Sequence, residues 1–526
     1  MKGTKAVTGL NGNENRRPPL FLTRTRYLNG LQCPKMLWLR VNRRENFPDP
    51  EIREQAVSMS RTARELAAAR FPGAVAIPHG EYSAMEEKTR ALLSSGKGEQ
   101  TLTHAALSFQ NCYCLMDILR VREDGRTELY MVKSASHVSA SSREDLAYQY
   151  YILRMAGFRV KKAAVLYINK DYRLPEKENV DPASFFREMD LTGEMKKKMS
   201  GIRDRIAALR IYCAQDRLPM RTLSEGCFSP YDCMCFQDCG KDLPKNHVFT
   251  LSSTPLSDKA QLYREGKRGF SDLVIPSNVP GQGLRTIPGL SDAAALQVLC
   301  ELEKRPLQAD LDAVREFLHN LWKPLYFLDF EAFQPAVPVY PGTKPFETIV
   351  FQYSLHFEKP DGTIGYREYL GEPQEDPRRG LSEALCADIP ADACILVYNS
   401  SYEKKRISEL AALYPAHAEH LKKLYEHIVD LMPVFKEKKI YDRRMRGSYS
   451  LKNVLPALFP DDDSLNYGSL SGVSQGQEAA DAFPMLLRLS GAEKEALRSE
   501  MLRYCALDTF AMVKIIEKLR ELSAPV

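Results

Sequence analysis

Cys227-Phe-Ser-Pro-Tyr-Asp-Cys233-Met-Cys235-Phe-Gln-Asp-Cys239 contains four of the 12 cysteines of the chain. Thiolates this close together suit a soft metal ion or an iron–sulfur cluster. A further cysteine lies far upstream, at the end of Tyr27-Leu-Asn-Gly-Leu-Gln-Cys33. We interpret four of these cysteines as the ligands of one cluster: Cys33, Cys227, Cys233 and Cys239. Such a cluster would join the start of a domain to its end and restrict the unfolded chain by about 4–5 kcal/mol, by analogy with a disulfide.

The cysteine-rich segment is also compatible with a disulfide framework, a zinc site or unligated core cysteines. A disulfide framework is disfavoured because no secretory signal is visible and the remaining cysteines are scattered. Tetrahedral zinc is a rival, although the segment does not begin with Cys-x-x-Cys. Cys235 is the spare thiol: it could replace Cys233 or Cys239, or simply be buried. The spacing favours iron–sulfur over zinc and over unligated cysteine.

Length and composition set wider bounds. The chain has 526 residues, which predicts two or three domains, and its hydrophobic content of 44% is ordinary for a soluble globular protein. No run of eighteen apolar residues occurs, so we expect no membrane span and a cytoplasmic location. The 73 basic residues barely exceed the 68 acidic ones, so a polyanionic partner requires a patchy charge distribution. Residues 1–20 are expected to be a disordered lead.

The first half contains three polar residues at positions typical of a site. Alternating apolar residues predict a strand that contains Asp117 and a second strand, after a turn, that contains Lys133. Met131 and Lys133 lie two apart, so they face the same side, towards Asp117. Gln149 follows on a helix that ends at Gly157. The alternative is an ordinary salt bridge between Asp117 and Lys133.

The order of Cys33, Asp117, Lys133, Gln149 and the terminal cysteines resembles that in the RecB-like nucleases of the PD-(D/E)XK superfamily. The members with this order carry a 4Fe-4S cluster and include CRISPR-associated proteins. The likeness implies a restriction-endonuclease-like domain over residues 21–245, closed by the four-cysteine cluster. It also implies that Asp117 holds magnesium and that Lys133 orients or activates the attacking water. Gln149 would occupy the position of the family's functional residue on the following helix.

The sequence departs from the RecB-like pattern at Met131, where the family has the second carboxylate. Magnesium requires hard oxygen ligands, and a thioether does not supply one. Either a neighbour such as Glu128 substitutes, or the site is poor in metal. We therefore expect impaired or lost cleavage in the first domain.

Residues 246–318 are expected to be a helical linker. A helix near Lys259, a glycine turn at Gly266 and a second helix near Phe270 follow the pattern of a helix–hairpin–helix, which offers backbone amides to phosphate.

The second half contains acidic residues within apolar stretches. Asp329 and Glu331 share one face of the strand Leu325-Tyr-Phe-Leu-Asp329-Phe-Glu331. Two buried acids side by side are costly unless a cation compensates them, which favours a metal site. Glu403 lies in the first turn of a helix for which Ser400 or Ser401 is the expected cap, and it could merely complement the helix dipole.

The pairs Asp329-x-Glu331, Asn399-x-x-x-Glu403 and Tyr504-x-x-x-Asp508 resemble the three motifs of DnaQ-like 3′–5′ exonucleases of the ribonuclease H-like fold. The likeness covers residues 319–526. It implies that Asp329, Glu331 and Asp508 hold two Mg²⁺ or Mn²⁺ ions and that Tyr504 positions the attacking water. Glu403 stands where the family has aspartate.

Together the two likenesses resemble a bacterial family that joins both modules, and they imply an α/β multidomain nuclease with a PD-(D/E)XK domain and a DnaQ-type domain. The expected substrate is nucleic acid, DNA in preference to RNA, in repair or defence together with partner proteins of such a system. The alternative is a catalytically inactive nucleic-acid-binding subunit of a similar complex. A zinc-stabilised scaffold without nucleic-acid contact is the third hypothesis.

Overall fold

A computed structural model describes residues 20–43, 54–95, 98–176, 179–218, 222–277, 283–465, 467–469 and 472–524. The chain has a mixed α/β fold, as expected from the sequence, and forms two compact units. The first comprises Met1–Tyr172 and Glu178–Lys241, and the second comprises Arg173–Lys177 and Asp242–Val526. Residues 1–19 of the expected disordered lead lie outside the described residues.

The first unit contains seven strands and eight helices among the described residues. The strands are β1 Leu22–Thr23, β2 Val75–Ala76, β3 Gln100–Phe109, β4 Cys112–Val121, β5 Arg126–Lys133, β6 Arg159–Ile168 and β7 Phe186–Asp190. The helices are α1 Arg24–Gln32, α2 Pro34–Asn42, α3 Glu54–Ala68, α4 Tyr82–Ser95, α5 Ala140–Met155, α6 Pro182–Phe185, α7 Thr192–Cys213 and α8 Phe236–Cys239.

The strands of the first unit form one mixed sheet in the order β2-β3-β4-β5-β6-β7, with β1 parallel to the start of β4. The pairs β3–β4 and β4–β5 are antiparallel, as alternating apolar residues and the turn after Val121 predict. Helix α5 connects β5 to the parallel strand β6. Ser139 caps α5, which is buried on most sides because α1, α7 and the sheet surround it.

The described part of the second unit contains nine strands and ten helices. The strands are β8 Val274–Pro276, β9 Leu284–Thr286, β10 Gln308–Ala309, β11 Leu325–Phe333, β12 Ile349–Glu358, β13 Ile364–Leu370, β14 Cys394–Val397, β15 Ile428–Asp430 and β16 Ile440–Tyr441. The helices are α9 Leu256–Arg264, α10 Asp292–Leu302, α11 Leu311–His319, α12 Arg378–Asp388, α13 Ser400–Leu413, α14 Ala418–Glu426, α15 Met432–Lys436, α16 Leu451–Leu458, α17 Gly476–Met485 and α18 Gly491–Ser523.

The main sheet of the second unit has the order β13-β12-β11-β14-β15. Strands β11, β12 and β13 are antiparallel neighbours, whereas β14 and β15 run parallel to β11. Each face of the sheet has its own apolar core: α16, α17 and α18 contribute to one, and α12, α13 and α14 to the other. The acidic strand predicted from the sequence is therefore the centre of the sheet.

Residues 246–318, expected to be a separate helical linker, fall within the Asp242–Val526 segment of the second unit. Helix α9 is followed by a 3₁₀ turn at Phe270–Leu273 and by the β8–β9 hairpin, so the second helix of the expected helix–hairpin–helix is not formed there. Strand β10 pairs with β16, which ties this region to the main body of the second unit. Among the described residues, no helix is both long enough and apolar enough to cross a membrane.

Candidate functional site

The central strand β11 brings two carboxylates to one face of its sheet. Phe327 and Phe333 on this strand belong to the core formed with α18, whereas Leu328 and Phe330 belong to the core on the opposite face. Asp329 and Glu331 share the face of Phe327 because side chains alternate along a strand. Helix α18 packs across that face. Both acids therefore lie on the face of the sheet that α18 covers.

Helix α18 adds Tyr504, Cys505 and Asp508 to this face. A carboxylate oxygen of Asp329, one of Glu331 and the sulfur of Cys505 all lie within 4.8 Å of one another. The Cys505 Sγ is 3.6 Å from Asp329 Oδ2. Asp508, one turn further along α18, interacts electrostatically with both acids of β11. The structure thus brings together carboxylates that the sequence separates by more than 170 positions.

Two tyrosines contact the last of these acids. Tyr467 donates a hydrogen bond of 2.5 Å to Asp508 Oδ1, and Tyr504 also donates to Asp508. Lys452 on α16 lies above the rings of Tyr467 and Tyr504, at 5.4 and 5.6 Å, and donates to the Ser474 carbonyl at 2.7 Å. Tyr504 is therefore beside the acid cluster, as the sequence predicts, and a lysine borders it.

Glu403 is the fourth acid of the cluster. It is 2% exposed, and its Oε2 has no hydrogen-bond partner among the described residues. Burial, and then the charge of Asp329, raises the pKa of Glu403 to about 9. A structural role in complementing the helix dipole would not require this burial.

The start of α13, which positions Glu403, differs from the expectation. Asn399 is the N-cap residue, with a left-handed φ of 87°, and no side chain caps the helix in the usual way. Instead Asp430 at the end of β15 accepts the backbone N–H groups of Asn399, Ser400 and Met432. The expected capping by Ser400 or Ser401 is wrong, because a carboxylate from a neighbouring strand supplies the acceptor.

The electrostatics of the cluster call for a cation. Burial raises the pKa of Asp329, Glu331 and Asp508, and repulsion from Asp508 raises the pKa of the first two further. Lys452 favours the ionised form of Glu331 and Asp508 but is bonded to a carbonyl. Buried hard oxygens together with an unpartnered carboxylate are the donor set that Mg²⁺ or Mn²⁺ requires. The residues present therefore fit such an ion.

The polar residues predicted in the first unit also meet, but with a partner that the sequence did not predict. The Lys133 ammonium lies 2.8 Å from Asp145 Oδ2, and Gln149 Nε2 donates to Asp145 Oδ1 at 2.9 Å. Asp117 accepts the Val132 N–H at 2.8 Å. The direct salt bridge considered between Asp117 and Lys133 is thus not the one formed, because α5 brings Asp145 closer to the lysine.

The position of the missing second carboxylate stays apolar. Met131 is fully buried, and its sulfur is 3.6 Å from Gln149 Nε2. Glu128 does not replace it: Arg122 and Tyr130 donate to its carboxylate, at 3.1 and 2.9 Å. The suggested substitution by Glu128 is therefore wrong.

The cysteines converge from both ends of the first unit. Cys33, Cys227 and Cys239 line one pocket. Gln32 holds the two segments together by donating to the carbonyls of Gly226 and Tyr231, at 3.1 and 2.7 Å.

The fourth predicted ligand, Cys233, contacts Cys235 and Met36. A hydrogen bond with the Cys235 thiol lowers the pKa of Cys233, and its sulfur is 3.7 Å from Met36 Sδ. Both sulfurs interact electrostatically with Cys239. The choice between Cys233 and Cys235 as fourth ligand stays open.

Three residues at these sites were not among the predicted ones. Cys505 precedes Asp508 by three residues and Asp145 precedes Gln149 by four, so each spacing on a helix carried a signal. Tyr467 carried none, since it lies in a short 3₁₀ turn between helices.

One comparison with known proteins matches the part of the chain around β11. A family model described as a domain of unknown function, DUF2779, matches residues 326–450. This range includes Asp329, Glu331 and Glu403 and ends before α18. An uncharacterised protein of Mycoplasma genitalium is 24% identical over 232 residues, which are 40% of this chain and 34% of that protein. The chain spans about a third of the length of this curated relative.

Proposed function

We propose that this protein is a metal-dependent nuclease in which the second unit hydrolyses phosphodiester bonds as a 3′–5′ exonuclease acting on DNA, in repair or defence. The first unit is a RecB-like module that binds the nucleic acid and is stabilised by an iron–sulfur cluster. Two kinds of observation support both assignments: the motif likenesses and the geometry of the described residues.

The observation that carries the proposal is the buried cluster of four carboxylates in the second unit. Asp329 and Glu331 come from β11, Glu403 from α13 and Asp508 from α18. Such a cluster is unfavourable without a divalent cation, since unpaired buried charges cost several kcal/mol each. The order of the main sheet, with an antiparallel meander on one side of β11 and two parallel strands on the other, supports a ribonuclease H-like domain.

Three acids of the cluster and two residues beside it have assigned roles in phosphodiester hydrolysis. Asp329, Glu331 and Asp508 would hold Mg²⁺ or Mn²⁺, which supplies Lewis-acid stabilisation of the attacking and leaving oxygens when bound. The Tyr504 hydroxyl, beside Asp508, orients the attacking water. The Lys452 ammonium borders the cluster and attracts the phosphate group of the substrate.

The spacing of the cysteine sulfurs supports a cluster over mononuclear zinc. Four thiolates on tetrahedral zinc lie about 3.8 Å apart, given Zn–S bonds of about 2.3 Å. No three sulfurs of the described cysteines lie within 4.8 Å of one another. The cysteine set of the RecB-like likeness favours a 4Fe-4S cluster instead.

A cleavage assay with labelled single- and double-stranded DNA and RNA tests the proposal. Wild-type protein with Mn²⁺ should shorten DNA from the 3′ end, and Asp329→Asn or Asp508→Asn should reduce the rate by at least about 1,000-fold. The matched control is Asp312→Asn, whose side chain is 96% exposed on α11, and it should cleave at the wild-type rate. Wild-type protein that cleaves no substrate with either metal, or variants that cleave normally, would refute the enzyme.

A further inference from the structure

The first unit contains a pocket in which basic groups surround two acids. Asp117 on β4 and Asp145 on α5 form its floor, with side chains 12% and 2% exposed. Arg24 from α1, Arg64 from α3 and Lys133 from β5 lie around them and are more exposed, at 41%, 32% and 26%. All three basic groups act electrostatically on Asp117. The pocket is therefore open on its basic side.

The charge of the pocket favours an anion. Three cationic side chains face two carboxylates, so the pocket has a surplus of one positive charge even when both acids are ionised. Met131 adds no oxygen ligand. The Lys133 ammonium already donates a hydrogen bond of 2.8 Å to the Asp145 carboxylate. A divalent cation would meet repulsion in this pocket rather than a set of free ligands.

The two arginines have unused hydrogen-bond donors. The Arg24 guanidinium comes no closer than 3.6 Å to Asp145, and Arg64 no closer than 3.9 Å to Asp117, and both distances exceed a hydrogen bond. The Nε of Arg64 is buried and has no partner among the described residues. A guanidinium presents five donors in a fixed fork that matches a phosphate group. These donors need acceptors that the described part of the chain does not supply.

We propose that this pocket binds a backbone phosphate of the nucleic acid through Arg24, Arg64 and Lys133, without a metal ion. The inference deepens the proposed function, since it rests on nucleic acid being the substrate. It assigns the pocket to phosphate binding rather than to cleavage. Asp117 and Asp145 orient the basic side chains, and the phosphate completes their hydrogen bonds.

The test is fluorescence anisotropy of a labelled DNA oligonucleotide with the full-length protein in EDTA, where no cleavage occurs. Arg24→Gln and Arg64→Gln should each weaken binding by about 3- to 10-fold at moderate salt and lower the slope of log K against log salt by about one. The control is Arg203→Gln, which removes the same charge from an arginine that is 70% exposed on α7, and it should bind within twofold of wild type. Thermal unfolding checks that each variant is folded.

Two further arms separate the proposal from its rivals. Asp117→Asn makes the pocket more positive, so binding should stay the same or tighten, whereas binding that requires Mn²⁺ and is lost in Asp117→Asn would overturn the proposal. Potassium phosphate is compared with potassium chloride at equal ionic strength, and a much larger loss in phosphate would assign the pocket to free orthophosphate instead. Wild-type affinity in both arginine variants would also refute the proposal. That result would leave the proposed Mn²⁺-dependent cleavage by the second unit untouched, because a separate assay tests it.

Discussion

Single residues of the second unit combine two properties that seldom occur together, burial and negative charge. Glu331 and Glu403 are 7% and 2% exposed, and both lie against Asp329. Acids at such positions lower the stability of the fold unless a ligand neutralises them. We therefore expect the stability of the protein to depend on both pH and metal.

Glu403→Gln should stabilise the metal-free protein at alkaline pH. The pKa of Glu403 is raised from 4.5 to about 9 by burial and by Asp329. Between these values the folded state holds a proton that the unfolded state has lost, so its contribution to stability is present at acid pH and lost as the pH rises towards 9. Glutamine stays neutral, so the variant should be more stable by about 1–3 kcal/mol at pH 8.5.

Thermal unfolding in EDTA between pH 5 and 9 measures this effect of Glu403. The variant should show a flatter dependence of Tm on pH than the wild type, with the largest difference at the alkaline end. A variant that is less stable at pH 8.5 would show that the Glu403 carboxylate is satisfied in the metal-free fold.

Tyr504→Phe should separate catalysis from binding. The hydroxyl is assigned to orienting the attacking water, so its loss should lower kcat by about 10- to 100-fold and leave KM and Mn²⁺ affinity within about threefold. Tyr425→Phe, which removes a hydroxyl from a 41% exposed ring, is the control and should be neutral. A rise in KM without a change in kcat would assign Tyr504 to substrate binding instead.

At the scale of elements, the acid cluster depends on where α13 begins. Asp430 accepts three backbone N–H groups at the junction of β14, β15 and α13. It thereby ties the first turn of α13, with Glu403, to the sheet. Among the described residues, no side chain of α13 or its N-cap residue caps this helix start.

Asp430→Ala should therefore destabilise the second unit by about 2–3 kcal/mol, since three donors lose one charged acceptor. Cleavage should fall as well, because Glu403 moves. The control is Glu437→Ala, which breaks an exposed ion pair with Lys439 and should cost less than about 0.5 kcal/mol. Urea unfolding measures both, and equal stability of the two variants would contradict this role of Asp430.

Elements with a strong local pattern were predictable from the sequence. Strand β11 is an apolar run interrupted by two acids, and β12 alternates apolar with polar residues. The helical spacing of Tyr504 and Asp508 places both on α18. The region after α9 was not predictable, because Gly266 and Gly269 suit a 3₁₀ turn and hairpin as well as a helical hairpin. The meeting of Lys133 with Asp145 also escaped prediction, since it depends on how α5 packs on the sheet.

At the scale of the whole molecule, three cysteines from the two ends of the first unit line one pocket. Helices α1 and α2 meet at Cys33, and the segment with Cys227 and Cys239 comes from the other end of that unit. The sequence led us to predict these three cysteines as ligands of one cluster. It did not settle the fourth ligand, because Cys233 and Cys235 are two residues apart and hydrogen-bond to each other.

Cys33→Ser, Cys227→Ser and Cys239→Ser should each remove the brown colour and visible absorption of the iron–sulfur cluster and lower the Tm of the first unit by several degrees. Cys386→Ser in the second unit is the control and should keep the colour. Of Cys233→Ser and Cys235→Ser, only the variant that lacks the true fourth ligand should lose it. A colourless wild-type protein loaded with zinc would contradict the cluster.

The proposed enzyme depends on the acids from β11 and α18 forming a site for divalent cations. The most direct measurement is a Mn²⁺ titration of the full-length protein, with free Mn²⁺ followed by electron paramagnetic resonance, for the wild type and for Asp329→Asn, Asp508→Asn and the control Asp312→Asn. Wild type and control should bind Mn²⁺ alike, and both cluster variants should bind at least about tenfold more weakly. Equal binding by all four proteins would contradict the account.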